Sequence, residues 1–202
     1  MISTFTAFFD ANVFFGARLR SLVIELAQLG LFRARWSDDI HGEWRRAVSA
    51  KRGIDIGRLE GTRRAMDGAV LDCLVTGYEP LIDTIKLPDE GNRHVVAAAV
   101  VAQASAIVTF NLDHFPAETL TPYRLHAIHP DDFLLDIEGL NSPAVLRAVT
   151  QDVNHYRNPP KTWDEYFDDL RRAGIPKMAD LLARVRMPSL RSAEAEKGHG
   201  GR

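Results

Sequence analysis

Cysteine is nearly missing from this chain. Its 202 residues include a single one, Cys73, which excludes an intrachain disulfide framework and any zinc cage built from several cysteines. Cys73 sits in the apolar run LDCLV and reads as a small buried hydrophobe. Long apolar runs are missing as well. The longest, Val95 to Ala102, has eight residues, well short of the roughly 18 that a spanning helix needs, so no membrane partner is expected. Asp10 and Asn12 interrupt the apolar N-terminus and no basic stretch precedes it; it does not read as a signal peptide, and the expected location is cytoplasmic. Several catalytic motifs are lacking too. There is no G-x-x-x-x-G-K-[ST], no G-x-G-x-x-G and no H-E-x-x-H spacing among His41, His94 and His114. The G-x-S-x-G of α/β-hydrolases is also missing.

What remains is an ordinary globular composition, 46% hydrophobic and 26% charged. The length suits one main domain with a small appendage. The net charge of −2 hides a strong division. Residues 18–64 hold 11 Lys and Arg against 6 Asp and Glu, residues 65–140 hold 3 against 12, and residues 141–202 hold 11 against 8. A basic stretch beside an acidic one suits an enzyme that holds a cation with carboxylates and a polyanion with arginines. A solvated surface of mixed charge gives the same counts.

The apolar run Phe5 to Phe9 predicts a short buried strand ending at Asp10. Apolar residues at 19, 22, 23, 26 and 29 predict a helix over 18–29, stopped by Gly30. Phe32, Ala34 and Trp36 alternate with Arg33 and Arg35, the pattern of a half-buried strand. Ser37 is a good cap for a helix through Ala47. A second helical stretch covers about 55–74, and Leu81, Ile82 and Ile85 suggest a short strand. HVVAAAVVAQA follows PDEGN as an apolar helix, and Ala106–Thr109 and Leu125–Ile128 read as strands. Apolar strands alternating with helices predict an α/β fold with a mainly parallel sheet. Its ligand site lies beyond the carboxyl ends of the strands, where Asp10 and Asn111 fall. Past about 140 only helices are expected: Ser142-Pro143 opens one, the Thr162/Glu165 capping box another, and a last one covers about 177–186. The expected division is 1–138 as the main body, 139–188 as a helical extension and 189–202 as a loose tail.

Four segments could carry chemistry. In FFDANVFF, Asp10 lies among four phenylalanines, where its charge needs a compensating partner; a simple turn cap at Asp10 and Asn12 is the alternative. On the helix after Ser37, Asp39 and Glu43 share a face and repel unless a cation, or Arg45 and Arg46, relieves them. LPDEGN brings Asp89, Glu90 and Asn92 to the start of the apolar helix, with N-capping by Asn92 as the alternative. TFNLDHFP puts Thr109, Asn111, Asp113 and His114 directly after a buried strand. Carboxylate and amide oxygens without cysteine suit Mg²⁺ or Mn²⁺. Arg45, Arg46, Lys51 and Arg52 are candidates for phosphate contacts.

In this order, Asp-x-Asn-Val after an apolar strand, NRHVVAAA and IVTFNLDHFP make the chain resemble the PIN-domain nucleases over about 5–135. It looks most like VapC-type toxins of type II toxin–antitoxin pairs, in the subgroup with a C-terminal helical extension. The resemblance implies a Rossmann-like sheet wrapped in helices, an acidic site for Mg²⁺ or Mn²⁺, cleavage of tRNA or rRNA, a cognate antitoxin and a homodimer. It makes Asp10 the first acid and Glu43 the second. Asn92 stands where the third acid is usual and Asn111 where many members have the fourth, with Asp113 the remaining acid of that loop. It therefore names Asp10, Glu43, Asn92 and Asp113 as catalytic, and Asp10, Asn92, Asn111 and Asp113 as metal ligands, with Asp89 as a further candidate. Thr109 is implied to position Asp10. The two asparagines motivate a second reading, a non-catalytic or weakly catalytic RNA-binding protein. A third, a phosphatase of the haloacid dehalogenase type, fits poorly: Asn12 stands where its loop has aspartate, and Lys86 and Asp89 match its later motif badly.

Overall fold

The computed structural model describes residues 5–156 and 159–185. The expected tail at 189–202 lies outside the described residues. In chain order the elements are β1 (Thr6–Phe9), α1 (Ala11–Phe15), α2 (Ala17–Gln28), β2 (Arg33–Arg35), α3 (Asp38–Arg52), α4 (Glu60–Ala69), α5 (Glu79–Ile82), α6 (Arg93–Val101), β3 (Ala106–Val108), α7 (Ala117–Leu120), β4 (His126–Ile128), α8 (Pro130–Leu140), α9 (Ser142–Asn154), α10 (Trp163–Arg172) and a last helix, α11, over 176–185. Short 3₁₀ turns link several of them. The four strands form one sheet in the order β2-β1-β3-β4, and every pairing is parallel. This is the α/β, PIN-like architecture expected from the sequence, with flanking helices and further helices at the C-terminus.

β1 lies inside the sheet and is buried along its whole length. It pairs Ala7 with Ala34 on one side and with Ala106 on the other. That placement explains a run with no polar face, since both faces of a parallel sheet are covered by helices. Phe9, Phe14, Phe32 and Phe133 interlock beneath one face. The Phe133 ring meets Phe32 at 5.0 Å and Phe9 at 5.6 Å, edge to face. α8 is thereby fixed to the sheet. α6, apolar from Val95 onward, packs on β1 and β3.

Three local expectations need correction. The helix expected over 55–74 is a 3₁₀ turn, Ile56–Leu59, followed by α4, which stops at Ala69. Residues 73–75 instead run extended beside the end of β2: Trp36 N–H donates to the Cys73 carbonyl (3.0 Å) and Val75 N–H to the Trp36 carbonyl (2.9 Å). Pairing with the sheet overrides helical propensity there. The strand expected at 81–85 is the single helical turn α5, with Pro80 in its first turn where no N–H is needed. Arg35, which alternation would expose, is only 9% exposed and ion-pairs with Asp72 at 2.5 Å. Among the described residues no helix is long and apolar enough to cross a membrane.

The C-terminal helices are held by their caps and by one buried hub. Asn141 accepts from Ala144 N–H (3.1 Å) at the start of α9, and Thr162 and Glu165 form the reciprocal capping box of α10. α9 lies along α2. Between them Asp152, fully buried, accepts from Tyr166 Oη (2.7 Å) and from the Ser21 hydroxyl, with Arg18 Nη1 at 3.6 Å.

Candidate active site

The carboxyl ends of β1 and β3 are adjacent because the two strands pair in register, Phe9 opposite Val108. The next residues, Asp10 and Thr109, therefore face each other. Thr109 Oγ1 donates to Asp10 Oδ2 (2.6 Å). Ala11 N–H donates to Asp10 Oδ1 (2.6 Å), and Asn12 Nδ2 donates to Asp10 Oδ2 (2.7 Å) and to Thr109 Oγ1 (2.9 Å). Asn12 Oδ1 accepts from Phe110 N–H (3.2 Å). Asn12 thus latches the β1 turn to the β3 loop, and Asp10 is held by three donors in one orientation.

A cleft of about 410 Å³ opens over this carboxylate. α1 supplies Phe15, α3 supplies Glu43 and Lys51, the turn before α6 supplies Asp89 and Asn92, and the β3 loop supplies Asn111 and His114. Asp10 is 6% exposed, and burial lifts its pKa above the ordinary carboxylate value. The bonds from Thr109 and Ala11 act in the other direction, and Glu43 adds to the rise. Among the described residues no cationic side chain forms an ion pair with it.

Glu43 is paired with His94, whose Nε2 lies 2.9 Å from Glu43 Oε1. Burial opposes the charged imidazole, but Glu43, with Asp39 and Asp10 behind it, outweighs burial and raises the His94 pKa. Asp39 accepts from Tyr78 Oη (2.7 Å). The Asp39–Glu43 repulsion is therefore relieved by His94 and Tyr78, not by Arg45 or Arg46. Asn92 stands at the N-cap of α6 by position, yet its side chain makes no cap bond. Its Nδ2 donates to Asp89 Oδ2 (2.8 Å) and lies 3.0 Å from His114 Nδ1. Its Oδ1 accepts no hydrogen bond from any described residue, so it is available to a cation.

The structure brings Asp10, Glu43, Asp89, Asn92 and Asn111 to one cleft, with Thr109 behind Asp10. Asp113 is exposed on the 112–114 turn and does not line it, whereas His114 of the same turn does. Lys51 lines the cleft, and Arg52 stands over the Phe15 ring at 5.1 Å. Arg45 is tied to Glu60 (3.0 Å) and to the Ile56 carbonyl (3.3 Å), and Arg46 is exposed farther along α3. Sequence reasoning missed His94 as the partner of Glu43, and treated Asn12 as a turn residue. The Asp-x-Asn spacing was the available signal for Asn12.

The donors fit a hard divalent cation in type. Asp10, Glu43, Asp89, Asn92 and Asn111 offer oxygens, beside the His114 imidazole and the Lys51 ammonium, and the buried Asp10 carboxylate has no ion-pair partner among the described residues. Among those residues no three His, Cys, Asp or Glu side chains gather closely enough to hold a metal by themselves. Amide oxygens and water would therefore complete a coordination shell there.

A family model, the VapC50 C-terminal domain, matches residues 130–184. The Mycobacterium tuberculosis protein named "Putative ribonuclease VapC50" is 47% identical over 109 residues, which is 54% of this chain and 63% of that protein. The match therefore spans less than two thirds of that relative's length. No solved structure matches the chain.

Proposed function

Starting from this likeness to VapC-type PIN proteins with a C-terminal extension, which bears out the resemblance read from the sequence, we propose that the chain is a metal-dependent endoribonuclease toxin. Its substrate is structured RNA, tRNA or rRNA, and a cognate antitoxin neutralises it. The observation that carries this reading is Asp10: a buried carboxylate at a strand end, oriented by three donors, facing a cleft with Asp89, Asn92 and Asn111, and forming no ion pair with a described residue. Asp10, Asn92 and Asn111 would hold Mg²⁺ or Mn²⁺, with Asp89 beside them. The bound ion would polarise a water molecule and stabilise charge on the phosphate. Thr109 and Asn12 keep the Asp10 oxygens aimed into the cleft. Glu43, held by His94, orients water at the opposite wall and accepts its proton. Lys51 and Arg52 meet the RNA backbone. The body at 1–138 carries this chemistry and the extension at 139–188 flanks it. A homodimer and a cytoplasmic location belong to the same proposal.

A second reading has an observation of its own. Asn92 and Asn111 stand where acids are usual, and the carboxylates do not form a cage, which favours an RNA-binding protein with weak or no cleavage. One experiment separates the two. Incubation with total RNA plus Mn²⁺, or plus EDTA, followed by mapping of the ends, yields discrete metal-dependent cuts if the first is correct. RNA bound and recovered intact under both conditions establishes the second.

A further inference from the structure

We propose that a second cleft, between the strand-end site and the C-terminal helices, is an RNA subsite that seats the nucleotide next to the scissile one. The inference rests on the ribonuclease reading above. The cleft measures about 510 Å³, within the range that encloses a small ligand. It shares Asn12 and Phe15 with the Asp10 cleft, so one strand can run from one into the other.

Its walls are aromatic and cationic. Phe15 and Phe110 come from the body, Tyr156 follows α9, and Arg52, Lys161 and Arg172 surround them. That combination is the one that binds single-stranded nucleic acid: rings stack on bases and cations track phosphates. Phe110 is fixed by a close approach of the extension. Gly174 has φ +86°, and a Cβ there would lie 2.8 Å from the Phe110 ring, so glycine is needed for both backbone and space. The Arg18 guanidinium covers one face of Tyr156 at 3.8 Å.

The charge is unbalanced toward the positive. Asp169 alone faces three cations: Arg18 (2.9 Å), Arg172 (2.7 Å) and Lys161. Asp152 stands behind Arg18. Arg52 is the fourth cation of the cleft, so four positive groups meet two carboxylates. A polyanion entering here meets an excess of two positive charges and shares Arg172 and Lys161 with Asp169. Arg172 keeps 72% of its side chain exposed, so it can reach a phosphate.

The test measures binding of a fluorescein-labelled, mixed-sequence 12-nucleotide single-stranded RNA in EDTA, by anisotropy across a salt series. Three full-length proteins are compared: wild type, Arg172→Glu, and Lys161→Glu combined with Arg172→Glu. Arg147→Glu, exposed on α9 and away from the cleft, is the control of equal charge change for Arg172→Glu. The double variant is expected to weaken binding about tenfold or more. The salt slope should fall by about 0.7 for each phosphate that is no longer neutralised, and Arg147→Glu should change neither by more than about twofold. If the double variant loses thermal stability, Arg172→Glu alone decides, with a smaller loss in the same direction. Binding and slope equal to those of Arg147→Glu overturn the subsite, even if the variants lose affinity for a protein partner. No binding by wild type overturns it too. The nuclease reading fails separately: if the charge reversals weaken binding but wild type makes no metal-dependent cut, the subsite stands without the cleavage.

Discussion

Two aspartates in this molecule are buried almost equally and are treated in opposite ways. At the α2–α9–α10 junction Asp152 is closed in: Tyr166 and Ser21 donate to it and Arg18 lies beside it. At the strand-end cleft Asp10 also has its donors, Thr109, Asn12 and Ala11 N–H, but no described cation pairs with it and one side opens to the cleft. A buried charge with its counter-ion in place is a structural joint, and removing one partner leaves the other stranded. A buried charge without one is a cost that the fold carries until something positive arrives. The comparison separates stability from function within one chain, and substitution at each aspartate can break it.

The largest effect is expected at Asp10. Asp10→Asn keeps the shape and removes the charge. Loss of a group that merely supports a metal ligand costs roughly 10–100-fold, so loss of a ligand itself should exceed about 100-fold in cleavage. Thermal stability should be unchanged or higher, because burial disfavours the carboxylate that is removed. Cleavage at the wild-type rate, or a melting temperature several degrees lower, would move Asp10 into the same class as Asp152.

Asp152→Ala is the opposite case. It takes from Arg18, 91% buried at its side chain, one of two carboxylates, Asp169 remaining at 2.9 Å, and leaves the Tyr166 hydroxyl without its acceptor. Breaking a buried pair costs about 3–5 kcal/mol, and for a chain of this size each kcal/mol lowers the melting temperature by about 2–4 °C. A loss of roughly 10 °C by calorimetry is expected. A loss under about 2 °C would show that the hub does not hold the extension.

How much of this is legible in the sequence follows the same division. Asp10 was legible because an apolar run ends on a charge among phenylalanines, and only a strand end gives that charge somewhere to go. The C-terminal helices were legible through local grammar: Asn141-Ser-Pro, the Thr162/Glu165 box and a Trp163-Phe167-Leu170 stripe. Phe167 and Leu170 are buried and Trp163 packs against that core. The His94–Glu43 pair was not legible. It depends on how α3 crosses the start of α6, which no periodicity within either helix states. The segment at 70–75 was misread for the same reason: its backbone partner, Trp36, is distant in sequence.

A smaller effect concerns acid. Asp169 holds three cations, and burial, which opposes its charge, is outweighed by bonds from Lys161, Arg172 and Arg18 that hold its pKa far below the ordinary carboxylate value. A carboxylate depressed in the folded state contributes stability that is present above its unfolded pKa, near 3.8, and lost as pH falls below it. Denaturation midpoints at pH 7 and pH 3 should therefore fall farther for wild type than for Asp169→Asn, which starts lower. Equal falls would mean that the cations do not lean on this carboxylate.

The smallest expected effect is at Asn92, and the structure gives it two opposed parts. Asn92→Asp replaces the amide whose Nδ2 lies 2.8 Å from Asp89 with a second carboxylate. Without a cation the two acids repel, so in EDTA the variant should melt slightly below wild type. With Mn²⁺ the added charge attracts a divalent ion more strongly than a neutral oxygen does. At a half-buried site open to solvent the gain is modest, about three- to tenfold in affinity by calorimetry. The sign of the stability difference should then narrow or reverse as Mn²⁺ is added, because the ion stabilises whichever protein binds it better. That crossing is the informative outcome. Tighter binding with a metal-dependent recovery of stability places Asn92 with Asp10 on the open side of the comparison. Unchanged or weaker binding removes it from the coordination shell and leaves its amide as a tie between Asp89 and His114.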